Sequence, residues 1–315
     1  MEWIDATSTA QAAQLLADGN TIAKAGGIDV LDLLKEGVIA PERLVNLRSI
    51  PGLSGIQRRA SGELEIGATT TLAEITRDPI LRQRYTALSE AAEHAATPQV
   101  RNAGTLGGNL LQKPRCWYYR NAFFHSDAQL AHNSDQARSG ENQFHAIFDN
   151  GSTAMVQAST PATALAAFDA HVELVDGNGA QRSVPIREFF TPPDFRTGRV
   201  SVIRPGEVLK HIVLPAAEVK SAYHKQTERD SYDWPICDVA VVFGTSASVF
   251  LGWVAPVPYR AVESERILTG KPVNEGLAAE AAKAAIAGAT PLSKNAYKVQ
   301  ILEAVVRRTI LKAAV

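Results

Sequence analysis

Two glycine-rich turns of different kinds constrain this chain more than any other feature. The first is Lys24-Ala25-Gly26-Gly27-Ile28-Asp29-Val30, and the second is Gly104-Thr105-Leu106-Gly107-Gly108-Asn109. Neither spells the dinucleotide fingerprint GxGxxG, and no Walker A sequence occurs anywhere. Paired glycines let a backbone approach a ligand closely and turn its N–H groups inward. A Gly-Gly pair after a strand is, taken alone, also an ordinary turn. The second turn is more specific, because its glycines flank a threonine hydroxyl and Asn109 adds an amide that both donates and accepts. Two such turns can hold the two phosphates of one cofactor from opposite sides, which points to a flavin dinucleotide held outside a Rossmann fold.

The rest of the composition narrows the class. A chain of 315 residues accommodates two or three domains, and 45% hydrophobic with 21% charged residues suits a globular protein with a real core. A net charge of −1 provides no field for nucleic acid or an anionic membrane. Cys116 and Cys237 cannot form a disulfide framework. The acidic N-terminus lacks the basic region of a secretory signal, so the cytoplasm is the default compartment, with periplasmic co-export beside a folded partner as the alternative. The uncharged stretch Val239–Val257 is long enough to span a bilayer. Its Gly244, Thr245, Ser246 and Ser248 instead predict two buried strands, Val239–Phe243 and Val249–Val254, around a polar turn, and no membrane span.

Along the chain, periodicity and capping residues predict helices over Gln11–Ala17, Asp29–Lys35, Leu72–Thr76, Thr86–Ala96, Pro161–Ala170 and Asn295–Ala313. Strands are expected over Thr21–Ala25, Leu44–Leu47, Leu64–Ala68 and His171–Val175. Residues 112–155 have weak periodicity but carry Trp117, Tyr118, Tyr119, Phe123, Phe124, Phe144 and Phe148, so they read as an ordered irregular insert rather than a linker. Hydrolytic signatures GxSxG and HExxH are absent. Glu228, Asp230 and Asp233 cluster in one turn, most simply as a solvated face.

AGGIDVLDLL, GATTTLAEI, TPQVRNAGTLGGNLLQ and SAYHKQTERDSYDWP together resemble the FAD-binding subunit of molybdenum hydroxylases, the group of xanthine dehydrogenases, carbon monoxide dehydrogenase and bacterial aldehyde oxidoreductases. The likeness covers nearly the whole chain, including GWVAPVPYRAVESERILTGK, and the insert beginning RCWYYR narrows it to the aldehyde oxidoreductase branch. The resemblance implies an α+β fold. A two-subdomain FAD-binding domain of the vanillyl-alcohol-oxidase type would occupy residues 1–212, with the insert inside it. A small CO-dehydrogenase-flavoprotein-like C-terminal domain would occupy residues 216–315. It also implies a heterotrimer in which a large partner subunit oxidises an aldehyde or N-heterocycle at a molybdenum cofactor. A small partner would pass the electrons through two [2Fe–2S] clusters to FAD here, and an external acceptor (NAD⁺, oxygen or a quinone) would take them away. The alternatives are a free-standing flavin oxidase or reductase and an assembly subunit without a cofactor.

Carried over residue by residue, the resemblance assigns Lys24, Ala25, Gly26, Gly27, Ile28, Asp29 and Val30 to the FAD pyrophosphate loop, and Thr105, Gly108 and Asn109 to a second loop. Leu209 would line the flavin pocket and Lys225 would contact FAD; by its residue type alone Lys225 reads as a solvated strand lysine. No side chain is expected to act as acid or base on the organic substrate. Two departures from the family stand out. Where the family often places a Ser-Asp pair, this chain has Ser159-Thr160, so Thr160 is expected to cap the following helix and to offer a hydroxyl instead of a carboxylate. The closest branch also holds a [4Fe–4S] cluster in the insert through four cysteines. Here only Cys116 remains; Ser126 and Thr153 stand at two positions, and the Ala128–Ser134 region has none. Cubane clusters need thiolates, so none is expected and no metal is assigned to this chain. Cys116, His125, His132 and His145 are zinc-type ligands, but without the short paired spacings of structural sites. Cys116 then reads as a small buried hydrophobe.

Overall fold

The structure, a computed structural model, describes residues 1–125, 137–151, 154–194, 198–216, 218–229 and 231–315. Three sheets organise it. The first is parallel, with β1 (Glu2–Asp5), β2 (Thr21–Lys24) and β3 (Arg43–Asn46) in the order β1-β3-β2. Parallel neighbours need crossovers, here helices Thr9–Leu16 and Ile28–Lys35. Ser8 caps the former by accepting the Gln11 N–H, and its Ala12 and Ala13 pack with Val45 and Leu53 in a small core. The first glycine turn is the link from β2 into Ile28–Lys35.

The second sheet is antiparallel throughout: β4 (Ile56–Arg58), β5 (Leu64–Gly67), β6 (His171–Asp176), β7 (Gln181–Pro185) and β8 (Glu207–Leu214), in the order β4-β5-β8-β6-β7. Between β5 and β6 the chain leaves the sheet and forms helices Leu72–Arg77, Thr86–Glu93, Pro98–Ala103, Leu106–Leu110 and Thr160–Ala167. Thr71 and Glu74 form a reciprocal capping box on Leu72–Arg77. Across β5, β6 and β8, Arg59 donates to Glu65 at 2.5 Å and to Glu173 at 2.7 Å, and His211 Nδ1 lies 3.0 Å from Glu173. The Arg59 guanidinium, with His211, holds the Glu173 carboxyl down at about 2. Glu65, Glu173 and His211 are close enough to share a metal ion, but Arg59 already supplies the cation.

The third sheet, β12-β11-β10-β9, is antiparallel and comprises β9 (Lys220–Gln226), β10 (Cys237–Phe243), β11 (Ala247–Gly252) and β12 (Tyr259–Arg260). Helices Val262–Leu268, Glu275–Ala285 and Tyr297–Ala314 follow it, and their apolar faces share a core with β10 and β11. The uncharged Val239–Val257 stretch therefore forms a hairpin plus its exit, as its polar turn predicts. Among the described residues no helix is long and apolar enough to cross a membrane.

Helix lengths differ from expectation where the backbone turns left-handed. The helix expected to reach Ala96 stops at Glu93, because Ala96 takes φ 49° and Pro98 restricts Thr97 before the next helix begins. The helix expected to reach Ala170 stops at Ala167, with Asp169 at φ 56°. The last helix begins at Tyr297, not Asn295. The Asn295 amide is engaged instead with the carbonyls of His145 and Ala146, and the fully buried Lys298 ammonium donates to those of Phe144, His145 and Trp253. The described end of the insert is thus fastened to the C-terminal helix by hydrogen bonds to its own backbone.

Candidate cofactor-binding site

Gly26 sets the geometry of the site. A Cβ there would run into the Ala103 carbonyl oxygen and lie 3.0 Å from Gly104 Cα, so the two glycine turns pack backbone to backbone. Gly27 follows at φ 83°, a conformation that favours glycine, and starts helix Ile28–Lys35 without a side-chain cap. No N–H from Gly26 to Val30 is donated to a described residue, and the first return bond is Leu31 N–H to the Gly27 carbonyl at 3.0 Å. This row of free donors at a helix start has the chemistry of an anion site.

Asp29, at the end of that row, is already neutralised. It accepts from the Lys113 N–H at 2.9 Å and pairs with Arg120 at 2.6 Å and Arg115 at 3.1 Å; Asp32 takes Arg120 at 2.8 Å. The segment after the second turn therefore clamps the first. Lys24 extends back over the Trp3 ring, 5.0 Å from its centroid. Val30 is half-buried, and Ile28 is exposed.

The second turn works differently from the first. Thr105 caps Leu106–Leu110 by accepting the Gly108 N–H at 3.2 Å, while Leu106, Gly107 and Asn109 donate to Thr70, Ala68 and Thr105 carbonyls. The N–H groups from Leu106 to Asn109 are thus spent within the protein, contrary to the expectation that both turns present theirs. What this turn offers outward is the exposed backbone at Gly108 and the side chain of Asn109. Gly107 is required because a Cβ would meet the Ala68 oxygen at 2.9 Å and Leu209 Cδ2 at 3.3 Å, so the buried Leu209 packs beneath this turn.

Ser159, not Thr160, caps helix Thr160–Ala167. Its hydroxyl accepts the Ala162 N–H at 3.1 Å and donates to Asn109 Oδ1 at 2.6 Å. Both residues suit an N-cap chemically; the contact with Asn109 decides between them. Thr160 is buried at the first helical position and donates to the Ala91 carbonyl at 3.0 Å. Ser159→Ala should remove the cap and the tie to Asn109 together, at about 1–2 kcal/mol. A urea-denaturation midpoint unchanged from wild type would contradict this.

Lys225 lies on β9 opposite Asp238 and donates to the His94 carbonyl at 2.8 Å. It is half-buried, not a solvated lysine, and burial lowers its pKa. The structure brings together Lys24–Val30, Thr105, Gly108, Asn109 and Leu209. Thr160 and Lys225 meet the end of helix Thr86–Glu93 and its exit instead. Ser159, Arg115 and Arg120 escape sequence reading, because each acts through a partner distant in sequence. The run KPR directly after the second turn is the one local hint of the clamp on Asp29.

In the insert, Trp117 packs edge-on against Phe144 at 6.0 Å and Tyr118 against Phe124 at 5.3 Å, so aromatic packing orders its described part. Cys116 is buried as expected, yet it is more than a small hydrophobe: Sγ lies 3.2 Å from His145 Nε2. Burial pushes the thiol up to about 11 and the imidazole down to about 4, which keeps both neutral. Ser126, the Ala128–Ser134 region with His132, Thr153 and Asp230 lie outside the described residues, as does the side chain of His125. In the acidic turn Glu228 is exposed, and Asp233 pairs with Arg229 at 3.3 Å.

Comparison with known proteins identifies the family. Residues 1–217 match the family described as the FAD binding domain in molybdopterin dehydrogenase, and residues 222–313 the CO dehydrogenase flavoprotein C-terminal domain. The aldehyde oxidoreductase FAD-binding subunit of Escherichia coli (strain K12) is 28% identical over 92% of this chain and 90% of its own length. The carbon monoxide dehydrogenase medium chain of Hydrogenophaga pseudoflava is 29% identical over 90% of this chain and 85% of its own. A solved structure of the carbon monoxide dehydrogenase from Hydrogenophaga pseudoflava matches with a TM-score of 0.76 at 27% identity, covering 99% of this chain and 96% of that one. The chain belongs to the family of FAD-binding subunits of molybdopterin dehydrogenases and is a subunit of an oxidoreductase.

Proposed function

We propose that this chain is the electron-transfer subunit of a molybdenum-dependent hydroxylase of the aldehyde or xanthine type, carrying FAD between a partner's [2Fe–2S] clusters and an external acceptor. The observation that carries the reading is the row of unpaired N–H groups from Gly26 to Val30, packed directly against the second glycine turn. It suits a pyrophosphate, whose anionic oxygens need such donors. Lys24 to Val30 would hold the phosphates; Thr105, Gly108 and Asn109 would close the other side, with Leu209 beneath. Ser159 fixes the Asn109 amide. Thr160, at the start of its helix, and Lys225, on β9, complete the proposed set from beside the end of helix Thr86–Glu93. Asp29, held by Arg115 and Arg120, keeps the first turn in place without adding net negative charge. When bound, FAD supplies two-electron redox chemistry, and the chain supplies binding and orientation. The same reading places a domain boundary between residues 212 and 216 and pairs this chain with a large molybdenum-cofactor subunit and a small iron–sulfur subunit.

Substrate reduction tests the assignment. The flavin of the FAD-loaded chain alone should stay oxidised with aldehydes and N-heterocycles yet bleach with dithionite, whereas within the complex substrate alone should bleach it. Bleaching of the isolated chain by an organic substrate would mark a free-standing flavin oxidase or reductase instead.

A further inference from the structure

A cavity of about 190 Å³ opens between the insert and the third sheet. The insert contributes Arg115 and Trp117 to its lining, the loop between β9 and β10 contributes Glu228, Asp233 and Trp234, and Trp253 follows β11. Its aromatic rim faces solvent: Trp117 is 38% and Trp234 58% exposed, whereas Trp253 is buried. Tyr232, two residues before Trp234, is 60% exposed and takes φ 59°. Large side chains exposed in one place mark a contact surface more often than scattered ones do.

The charges on the lining are unequal. Arg115 pairs with Asp29 at 3.1 Å and donates to Gln112 at 2.7 Å, and Asp233 pairs with Arg229 at 3.3 Å. Glu228 alone has no ion-pair or hydrogen-bond partner among the described residues. The uncompensated charge of the cavity is therefore negative, and a cation complements it. Indole faces attract cations as well, tryptophan most strongly of the aromatic side chains. Trp234 already accommodates one, because the Arg115 guanidinium carbon lies 5.7 Å from its ring centroid. An apolar cavity of roughly 150 Å³ holds a benzene molecule, so about 190 Å³ admits one flat side-chain head with part of its stem.

We propose that this cavity is a docking site for a partner subunit of the complex, and that it receives one arginine side chain of that partner. The inference rests on the subunit assignment above. Arginine suits the site better than lysine, because its planar, weakly hydrated guanidinium stacks on aromatic faces. Its stem would lie along Trp117 and Trp234, with the head group paired to Glu228. A protein partner also accounts for the aromatic residues outside the cavity. A small cation would leave Tyr232 and the rim indoles in water, whereas a protein surface covers them, as interface cores rich in Trp, Tyr and Arg do.

The full chain can be titrated with N-acetyl-L-arginine methylamide and with the citrulline analogue, which has nearly the same shape and no charge, by saturation-transfer NMR. The arginine probe should saturate at millimolar concentration and bind roughly tenfold more tightly than the citrulline probe. Glu228→Gln should remove most of that difference, and Trp234→Ala should weaken the arginine probe by roughly tenfold. Both side chains are exposed, so far-ultraviolet circular dichroism should stay at wild type. Equal binding of the two probes, or wild-type arginine binding in Glu228→Gln, would overturn the proposal. In the complex assembled with its partner subunits the cavity should be closed to the arginine probe. Undiminished binding there would also overturn the proposal, since the cavity would then serve small cations from solution. Failure of the subunit assignment would show separately, as a chain that joins no partner subunits whether or not it binds the arginine probe.

Discussion

Gly26→Ala should cost the chain its FAD. The added Cβ meets the Ala103 carbonyl oxygen, a backbone atom with no rotamer to give way, and lies 3.0 Å from Gly104 Cα. Relief requires the two glycine turns to separate, which pulls the free N–H row away from the second turn. We expect FAD affinity to fall by about 100-fold, equivalent to about 2.7 kcal/mol, while far-ultraviolet circular dichroism shows the fold retained. Gly19→Ala provides the control, because a Cβ there meets nothing within 4 Å. Equal flavin content and equal affinity in Gly26→Ala and wild type would remove the first turn from the cofactor site.

Asp238→Asn should change how stability depends on pH. Asp238 is fully buried on β10, between Lys225 on β9 and Gly252 on β11. It accepts from Tyr223 Oη at 2.8 Å and from Thr163 Oγ1 at 2.8 Å, which ties helix Thr160–Ala167 to the third sheet. Burial pushes its carboxyl from 3.8 up to about 7, against the two hydroxyls that favour the charged form. A folded pKa raised above the unfolded one means that the native state holds the extra proton between those values. The corresponding stability is fully present below about pH 4 and is lost as pH rises through 7. The interval from 3.8 to about 7 corresponds to roughly 4 kcal/mol. The Asn variant keeps an acceptor oxygen for one hydroxyl, the other hydroxyl can accept from its NH2, and the side chain does not ionise, so its stability relative to wild type should grow by up to that amount between pH 4 and pH 8. Urea melts of both proteins across this range measure it. Parallel pH profiles would show that Asp238 is charged in the native protein throughout this range, and would contradict the prediction.

The parts of the fold legible in the sequence are those decided locally. Gly26-Gly27 and Gly107-Gly108 announce close backbone approach because no other residue satisfies it, and Thr71 with Glu74 spells its own capping box. The hairpin of β10 and β11 is readable because polar residues interrupt an uncharged run. Features decided by tertiary contact are not legible. Ser159 and Thr160 are equal candidates for the cap until Asn109 selects one. Arg115 and Arg120 look like surface charge until helix Ile28–Lys35 brings Asp29 to them. Asp238 precedes an apolar strand as an edge acid would, and only Tyr223 and Thr163, distant in sequence, make it a core residue. Likewise, nothing in the second turn's sequence reveals that Thr70 and Ala68 have claimed its N–H groups.

The most direct test of the central claim is an absorption spectrum of the purified chain, followed by denaturation. Flavin bands near ~450 nm that move into the supernatant on denaturation, and that return when FAD is added back to apoprotein, are the expected result. A colourless chain that also fails to take up added FAD would contradict the account.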